Sequence, residues 1–384
     1  MPGAAVAGWG IALPERRLTN HDLTGWLDTS DEWIVERTGI RERRIAAPGR
    51  DETTGPLAVR SSRAALERAG LTPADLDLVV VATTTPERPI PSTASMVAAE
   101  LGTTAGGFDL NAACAGFVYA VTAVAGLLAV GAARTVLLVG VDTMSSVVDP
   151  LDRGTAILFG DGAAAVVLTS DPAHGVTPQP TLPGVGGFPG MPGLVASDLM
   201  HDPDGVELLV VDAGGAGMPA TAETVAANAH KLRMDGGEVF RRAVRGVTVS
   251  VQRTLERAGC SPDDVTLFVP HQANARIVAS VLPRLGIAPE RTISTIDRYG
   301  NTSAASVPLS LVEVAESGRV APGDLVLMCG FGAGMAVGTA LWRWDVAAGA
   351  ARATPTSTGP ADDGPTEPRA AGEGPAPTSR EDAA

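Results

Sequence analysis

Apolar residues along the chain gather into short unbroken runs rather than alternating with polar ones. Residues 77–83, 135–141, 265–270 and 324–330 each form such a Val/Leu-rich stretch. Runs of this length, bounded by turn residues, predict strands buried on both faces. Longer segments of helical period lie between them, and two of these end at Gly70 and Gly259, the residue type that closes helices. Helices alternating with continuous apolar strands imply sheets covered on both sides, an α/β architecture.

The pattern occurs twice. Residues 66–75 read LERAGLTPAD, and residues 255–264, 189 positions later, read LERAGCSPDD. The same spacing lays Asp77–Val81 (DLVVV) on Thr266–Pro270 (TLFVP), and Val136–Val139 (VLLV) on Leu325–Met328 (LVLM). Each copy then has a glycine turn and another strand, ILFGDGAAAVVL in the first and GFGAGMAVGTALWRW in the second. A constant separation over about 75 residues marks an internal duplication. The chain therefore divides into a first half (1–171), a Gly/Pro-rich connection (172–220), a second half (221–346) and a tail (347–384). The tail is rich in Ala, Pro, Gly, Thr and acid without apolar periodicity, and is expected to be disordered.

One stretch is long enough to be weighed as a membrane span: Leu110–Ala133 carries no charge. Asn111, Cys114 and many small residues oppose that reading. Its counterpart near Val307–Gly318 carries Glu313 and Glu316, so the pair is read as a buried helix beside a more exposed one, with no membrane partner. The composition agrees. With 384 residues and 45% apolar content, the chain can bury a large core, in one domain or two fused ones. A formal charge of −14 argues against a nucleic-acid partner. Three widely spaced cysteines, Cys114, Cys260 and Cys329, argue against a disulfide scaffold and for a reducing compartment. No C-x-x-C spacing suggests a metal site. The N-terminus, MPGAAVAGWGIALPERR, has no basic segment before its apolar residues, so no signal peptide is expected and the location is read as cytoplasmic.

Candidate chemistry lies at strand ends. Cys114, in NAACAG (111–116), follows a strand-like FDL and precedes a long helix. Unpaired N–H groups and the dipole at a helix start favour thiolate over thiol, and small neighbours leave room for a thioester. The alternative is an inert packing cysteine. Cys260 and Cys329 align with Leu71 and Gly140 in the repeat and read as packing positions. His271, in PHQAN, directly follows the strand 265–270, where open α/β sheets place ligands. The other histidines, His21, His174, His201 and His230, sit in polar or Gly/Pro-rich contexts and read as surface residues. Asn301 lies in YGNTSAA. Asp109 precedes Cys114 as Asp297 precedes Asn301, 188 positions apart, so the Asn loop is the second-half counterpart of the Cys loop. A pseudo-twofold axis between the halves would bring both loops together.

AACAGF, PHQAN, YGNTSAAS and GFGAG, in this order and spacing, resemble the 3-oxoacyl-acyl-carrier-protein synthase III family of fatty-acid initiation, from about residue 4 to 345. The resemblance implies a thiolase-like duplicated fold, two pseudo-twofold halves layered α-β-α-β-α. It implies catalysis by Cys114, His271 and Asn301, with an oxyanion held by the backbone N–H groups of Cys114 and Ala333. Trp33, Arg37, Arg153 and Asn274 match coenzyme A positions. Phe240, Arg241 and Arg276 match a carrier-protein docking edge, with Arg242 and Arg245 extending the basic helix. Ile90 matches a primer-pocket residue lent by a partner subunit. The family's reaction is a decarboxylating Claisen condensation of an acyl-CoA with malonyl-acyl carrier protein. The coenzyme A thioester is the substrate, and no metal or redox cofactor is needed. A homodimer is expected, also from apolar, edge-forming strands around 135–141. Related thiolases use a second cysteine near the C-terminus, which GFGAG lacks. Competing readings are an acyltransferase to another acceptor, a polyketide-priming synthase and a silent scaffold. The intact Cys, His and Asn motifs oppose the first and the last.

Overall fold

The computed structural model describes residues 3–47, 51–171 and 192–346. The tail 347–384, and most of the first part of the 172–220 connection, lie outside the described residues. The apolar runs form strands as predicted. In chain order the strands are β1 (Ala5–Ala12), β2 (Arg17–Thr19), β3 (Glu42–Arg44), β4 (Leu78–Ala82), β5 (Gly106–Leu110), β6 (Thr135–Thr143) and β7 (Asp161–Thr169) in the first half. They continue as β8 (Gly193–His201), β9 (Leu209–Val211), β10 (Leu232–Met234), β11 (Leu267–Pro270), β12 (Leu325–Gly332) and β13 (Ala336–Arg343).

Two sheets carry the fold, β1-β7-β6-β4-β5 and β8-β13-β12-β11, with β2/β3 and β9/β10 as small antiparallel ladders. In the first sheet β5, β4 and β6 run parallel, and in the second β11 and β12 do; β7 and β1, and likewise β13 and β8, continue each sheet antiparallel. β8 therefore stands where β1 stands in the first sheet. This moves part of the expected 172–220 connection into the second half. β8 escaped the sequence reading because it is an edge strand whose apolar residues are interrupted by Ser197 and Asp198, not a continuous apolar run. The counterpart of β5 shrinks to a single parallel bridge between Phe268 and Thr292. β6, expected at an edge, lies between β7 and β4; the first sheet's exposed edge is β5, whose Gly106–Phe108 face solvent.

The local devices repeat with the sheets. Helices Thr54–Ala69 and Gly236–Ala258 both end on a left-handed glycine, Gly70 and Gly259. Each is followed by a short 3-10 turn with a capping box, Thr72/Asp75 and Ser261/Asp264. The layers are those expected. Helices Gly116–Ala129 and Ser306–Ser317 lie between the sheets, where Phe117, Val121 and Val124 meet Val307, Leu309 and Val314 against both sheets. Helix Thr54–Ala69 covers the outer face of the first sheet, and helices Gly236–Ala258 and Ala275–Leu285 cover that of the second. Burial of apolar surface is favourable, and the apolar cluster of this central layer is the largest among the described residues.

The expectation about the central helices is reversed in one respect. The charged copy is the more buried: Ser306–Val312 and Val314 are all buried, whereas Ala123 and Gly126 of the uncharged copy reach solvent. The charges of the buried copy are spent at its C-terminal end. Glu313 accepts hydrogen bonds from Arg298 and from the Tyr299 hydroxyl, and Glu316 accepts from Trp9 Nε1 at 2.8 Å and pairs with Arg68. The uncharged copy spans only 14 residues, and no helix of the described residues is long and apolar enough to cross a membrane.

Candidate active site

The strand ends of both halves meet at one cavity of about 520 Å³. Cys114, His271 and Asn301 line it together, 6%, 1% and 5% exposed. Cys114 lies just before Ala115, the N-cap of helix Gly116–Ala129. A tight turn delivers it: Ala113 adopts φ +50°, and its N–H donates to Asn111 Oδ1 at 3.0 Å. The end of β12 passes directly behind. A Cβ at Gly332 would sit 2.5 Å from the Cys114 backbone nitrogen, so only glycine lets strand and nucleophile loop approach so closely. Ala333 follows Gly332 in the chain and is not itself among the residues lining the cavity.

Asn301 sits on the same kind of turn. Its Oδ1 accepts from the Ser303 N–H at 2.9 Å, and Ser303 also has φ +50°. The shared geometry pairs Asn111 with Asn301, 190 positions apart, rather than the 188 read from the aspartates. The aspartates themselves differ: Asp109 caps helix Thr93–Leu101 through the N–H groups of Thr93 and Ala94, while Asp297 pairs with Arg298. The Asn301 backbone is clamped on both sides, its N–H to Leu158 O at 2.8 Å and its carbonyl from Gly160 N at 3.0 Å. The Oδ1 bond to Ser303 fixes the orientation of the amide and leaves its Nδ2 donors to offer a ligand.

His271 leaves β11 with its backbone N–H on Cys329 O at 2.7 Å. Gln272 locks the loop by donating to Pro270 O and Ile293 O and accepting from Thr295 N. The ring stands edge-on to Phe331, centroids 5.0 Å apart. His271 Nδ1 is sealed without a hydrogen-bond partner among the described residues, so Nε2 is the nitrogen presented to the cavity. Burial holds the imidazole down at about 3; it is neutral at physiological pH.

The thiol departs from expectation. Burial pushes Cys114 up to about 12, opposed by its hydrogen bond to Ser303 Oγ at 3.3 Å. The resting group is a neutral thiol, because desolvation outweighs the helix terminus. Cys329 is likewise buried and pushed up to about 12, and accepts a hydrogen bond from Thr339; it packs inside the second sheet, as expected. Cys260 is half-buried against the same cluster. His21 and His201 are exposed as expected, but His230 is half-buried.

Three residues that the sequence did not flag build this site. Ser303 touches the nucleophile. Asp142, fully buried at the end of β6, gathers Thr83, Thr84 and Thr85 on Oδ1 and holds the Ala304 N–H on Oδ2 at 2.9 Å. It thereby joins the first sheet to the Asn loop. Arg43, fully buried, donates to Leu18 O, Asn20 Oδ1 and Ile157 O, anchoring the segment that clamps Asn301. A composition or period search cannot find such groups. The one available signal was a charged residue inside or beside a strand.

The remaining expected residues surround the cavity mouth. Trp33, Arg37, Phe240, Arg241, Asn274 and Arg276 line it. Arg37 and Arg153 both stack on Trp33, at 5.6 and 5.0 Å from the ring centroid, so the aromatic plate and its cations are assembled. Asn274 is a structural tie: its Oδ1 caps helix Ala275–Leu285, and its Nδ2 donates to Arg37 O at 3.1 Å. Arg276 lies over Phe240 at 5.9 Å. The basic helix is less basic than its arginines suggest, since Glu238 pairs with Arg241 and Arg242, and Asp202 pairs with Arg242 at 2.6 Å. Ile90 does not line the cavity; it is 86% exposed. No group of three His, Cys, Asp or Glu side chains gathers to hold a metal among the described residues.

Two duplicated halves that meet at a cysteine, backed by a glycine strand and faced by a neutral histidine and an amide, define a thiolase-fold acyltransferase. Comparison with known proteins narrows the class. The family described as 3-Oxoacyl-[acyl-carrier-protein (ACP)] synthase III matches residues 108–179, and its C-terminal model matches 255–344. The beta-ketoacyl-[acyl-carrier-protein] synthase III of Roseiflexus sp. (strain RS-1) is 46% identical over 344 residues, covering 89% of this chain and 98% of that protein. The crystal structure of 3-oxoacyl-[acyl-carrier-protein] synthase III from Aquifex aeolicus VF5 superposes with a TM-score of 0.78 at 39% identity, covering 89% of this chain and all of that one. The priming beta-ketosynthase of the R1128 polyketide pathway gives 0.77 at 38%, covering 90% of this chain and 97% of that one. The chain belongs to the beta-ketoacyl-[acyl-carrier-protein] synthase III family.

Proposed function

We propose that this chain condenses an acyl-CoA primer with malonyl-acyl carrier protein, releasing carbon dioxide and coenzyme A and yielding a 3-oxoacyl-carrier protein. The observation that carries this reading is the meeting of a buried thiol with two neutral hydrogen-bond donors in one cavity. In the first step Cys114 sulfur bonds to the thioester carbonyl and the coenzyme A sulfur–carbon bond breaks. The thiol proton leaves through the Ser303 hydroxyl and ends on the departing coenzyme A sulfur. The backbone N–H groups of Cys114 and Ala333 hold the tetrahedral oxyanion. In the second step the malonyl carbon–carbon bond breaks, carbon dioxide departs and its electron pair becomes an enolate. His271 Nε2–H and Asn301 Nδ2–H donate to the enolate oxygen; both are uncharged, so neither needs to lose a proton. The enolate carbon attacks the acyl carbonyl, the carbon–sulfur bond to Cys114 breaks, and the departing thiolate takes up a proton from solvent in place of the one carried off by coenzyme A.

Trp33, Arg37 and Arg153 suit a nucleotide, a flat ring among cations, so they are read as the coenzyme A mouth, with Asn274 fixing Arg37. Phe240, Arg241 and Arg276 are read as the docking edge for the acidic carrier protein, with Arg245 beside them. The coenzyme A thioester is a substrate, and the steps call for no metal or redox cofactor. The exposed Ile90 and the open β5 edge support a homodimer, in which a second copy lends its Ile90 to the primer pocket; light scattering at micromolar protein tests it, and a monomer mass refutes it. The enzyme is read as cytoplasmic. Kinship with a polyketide-priming ketosynthase favours a second carrier protein as the alternative acceptor. Incubation with a panel of acyl-CoAs, followed by intact mass spectrometry, tests the core reading. An acyl mass gain on the wild type that is absent from Cys114→Ala is expected, and an equal gain on both contradicts it.

A further inference from the structure

A second cavity, of about 630 Å³, lies beside the first. One residue, Phe159, lines both. Its ring is 4% exposed and packs with Leu18, Leu23, Val148 and Ala156, all buried, and these four also line the second cavity. The buried threonines Thr54, Thr85 and Thr143 line the same space, while its charged lining residues, Arg16, Glu87 and Lys231, differ in sign and make no anion or cation site. An apolar inner end of this kind suits a hydrocarbon chain.

The position of Phe159 is fixed by the catalytic machinery. Its neighbours Leu158 and Gly160 hold the backbone of Asn301, and Phe159 itself bridges to Asn301. Arg43 pins the carbonyl two residues before it, Ile157 O. The backbone here cannot shift without moving Asn301, so space can be exchanged between the cavities only through the Phe159 side chain.

We propose that Phe159 is the partition that sets primer length: it confines the acyl group on Cys114 to the first cavity, and the space behind it would hold the methyl end of a longer, medium-chain acyl group. This rests on the loading of Cys114 by acyl-CoA. A wall of one side chain discriminates by the methylenes it excludes, each a modest factor that accumulates along a chain.

The test is competitive loading of the full chain with an equimolar mixture of acetyl-, butyryl-, octanoyl- and dodecanoyl-CoA, read as acyl-Cys114 by mass spectrometry. Phe159→Ala is expected to raise the octanoyl-to-acetyl ratio about tenfold or more, and Phe159→Leu, which keeps more of the packing, to raise it less. Adding Val148→Phe to either variant refills the second cavity and is expected to return the ratio toward wild type. An unchanged ratio in the folded Leu variant, or a raised ratio that Val148→Phe leaves in place, overturns the partition. Absence of any acyl-Cys114 on the wild type instead overturns the loading reaction itself.

Discussion

The turns at 111–113 and 301–303 are the same backbone device used twice. Each places an asparagine Oδ1 on the N–H two residues on, and each then holds a non-glycine residue at φ +50°, a conformation that costs roughly 1 kcal/mol or more. Their surroundings differ. Asn111 is exposed, and the turn's product is Cys114, aimed by Gly332 behind it. Asn301 is buried, clamped by Leu158 and Gly160, and is itself the group presented. In the first half the turn positions the next residue; in the second it positions its own asparagine. Duplication explains the shared turn, and the layer packed over it decides which atom meets the substrate. The two loops then touch, through Cys114 and Ser303.

This contrast can be broken in several places. The largest effect is expected in the reactivity of the thiol. Because burial holds Cys114 at about 12, its alkylation by iodoacetamide should rise with pH up to about tenfold per unit from 7 to 10. Ser303→Ala should slow it by a further tenfold or so, the loss of one hydrogen bond to the thiolate. A plateau below pH 8 would show a thiolate set by the helix terminus alone.

The second effect is in stability. An unfolded histidine binds a proton below about 6.5, whereas folded His271 resists it down to about 3. Between those values the unfolded state holds more protons, so stability falls as the solution is acidified. His271→Gln removes this group and should flatten the acid limb by about 2 kcal/mol at pH 5 relative to pH 7.5. Chemical denaturation at both pH values measures it; parallel losses in wild type and variant would contradict the buried neutral ring. The smallest effect is expected at Asn111. Asn111→Ala should cost about 1 kcal/mol of stability, one solvent-side hydrogen bond, with Cys114 loading retained. Loss of loading in a folded Asn111→Ala protein would mean that the first turn also presents its asparagine.

Much of this was legible in the sequence because the duplication was. Continuous apolar runs located β4, β6, β11 and β12, and the repeat placed the Asn loop opposite the Cys loop. β8 was missed because an edge strand lacks a continuous apolar run. The 190-residue register was missed because it depends on φ angles rather than on residue identity, and the flanking aspartates took different partners. Ser303, Asp142 and Arg43 were invisible for the same reason: each acts through a contact between distant segments. The helix start correctly located Cys114 but misjudged its charge, since burial is a property of the packed layers and not of the motif.

The central claim is a division of labour, in which the first half's loop takes the acyl group and the second half's His271 and Asn301 build the carbanion. Its most direct test is Asn301→Ala, assayed separately for acyl-Cys114 formation from acyl-CoA and for condensation with malonyl-carrier protein. The account predicts loading close to wild type and condensation reduced by about a hundredfold or more, the usual cost of removing one oxyanion donor. Equal loss of both activities in a protein of unchanged stability would contradict it.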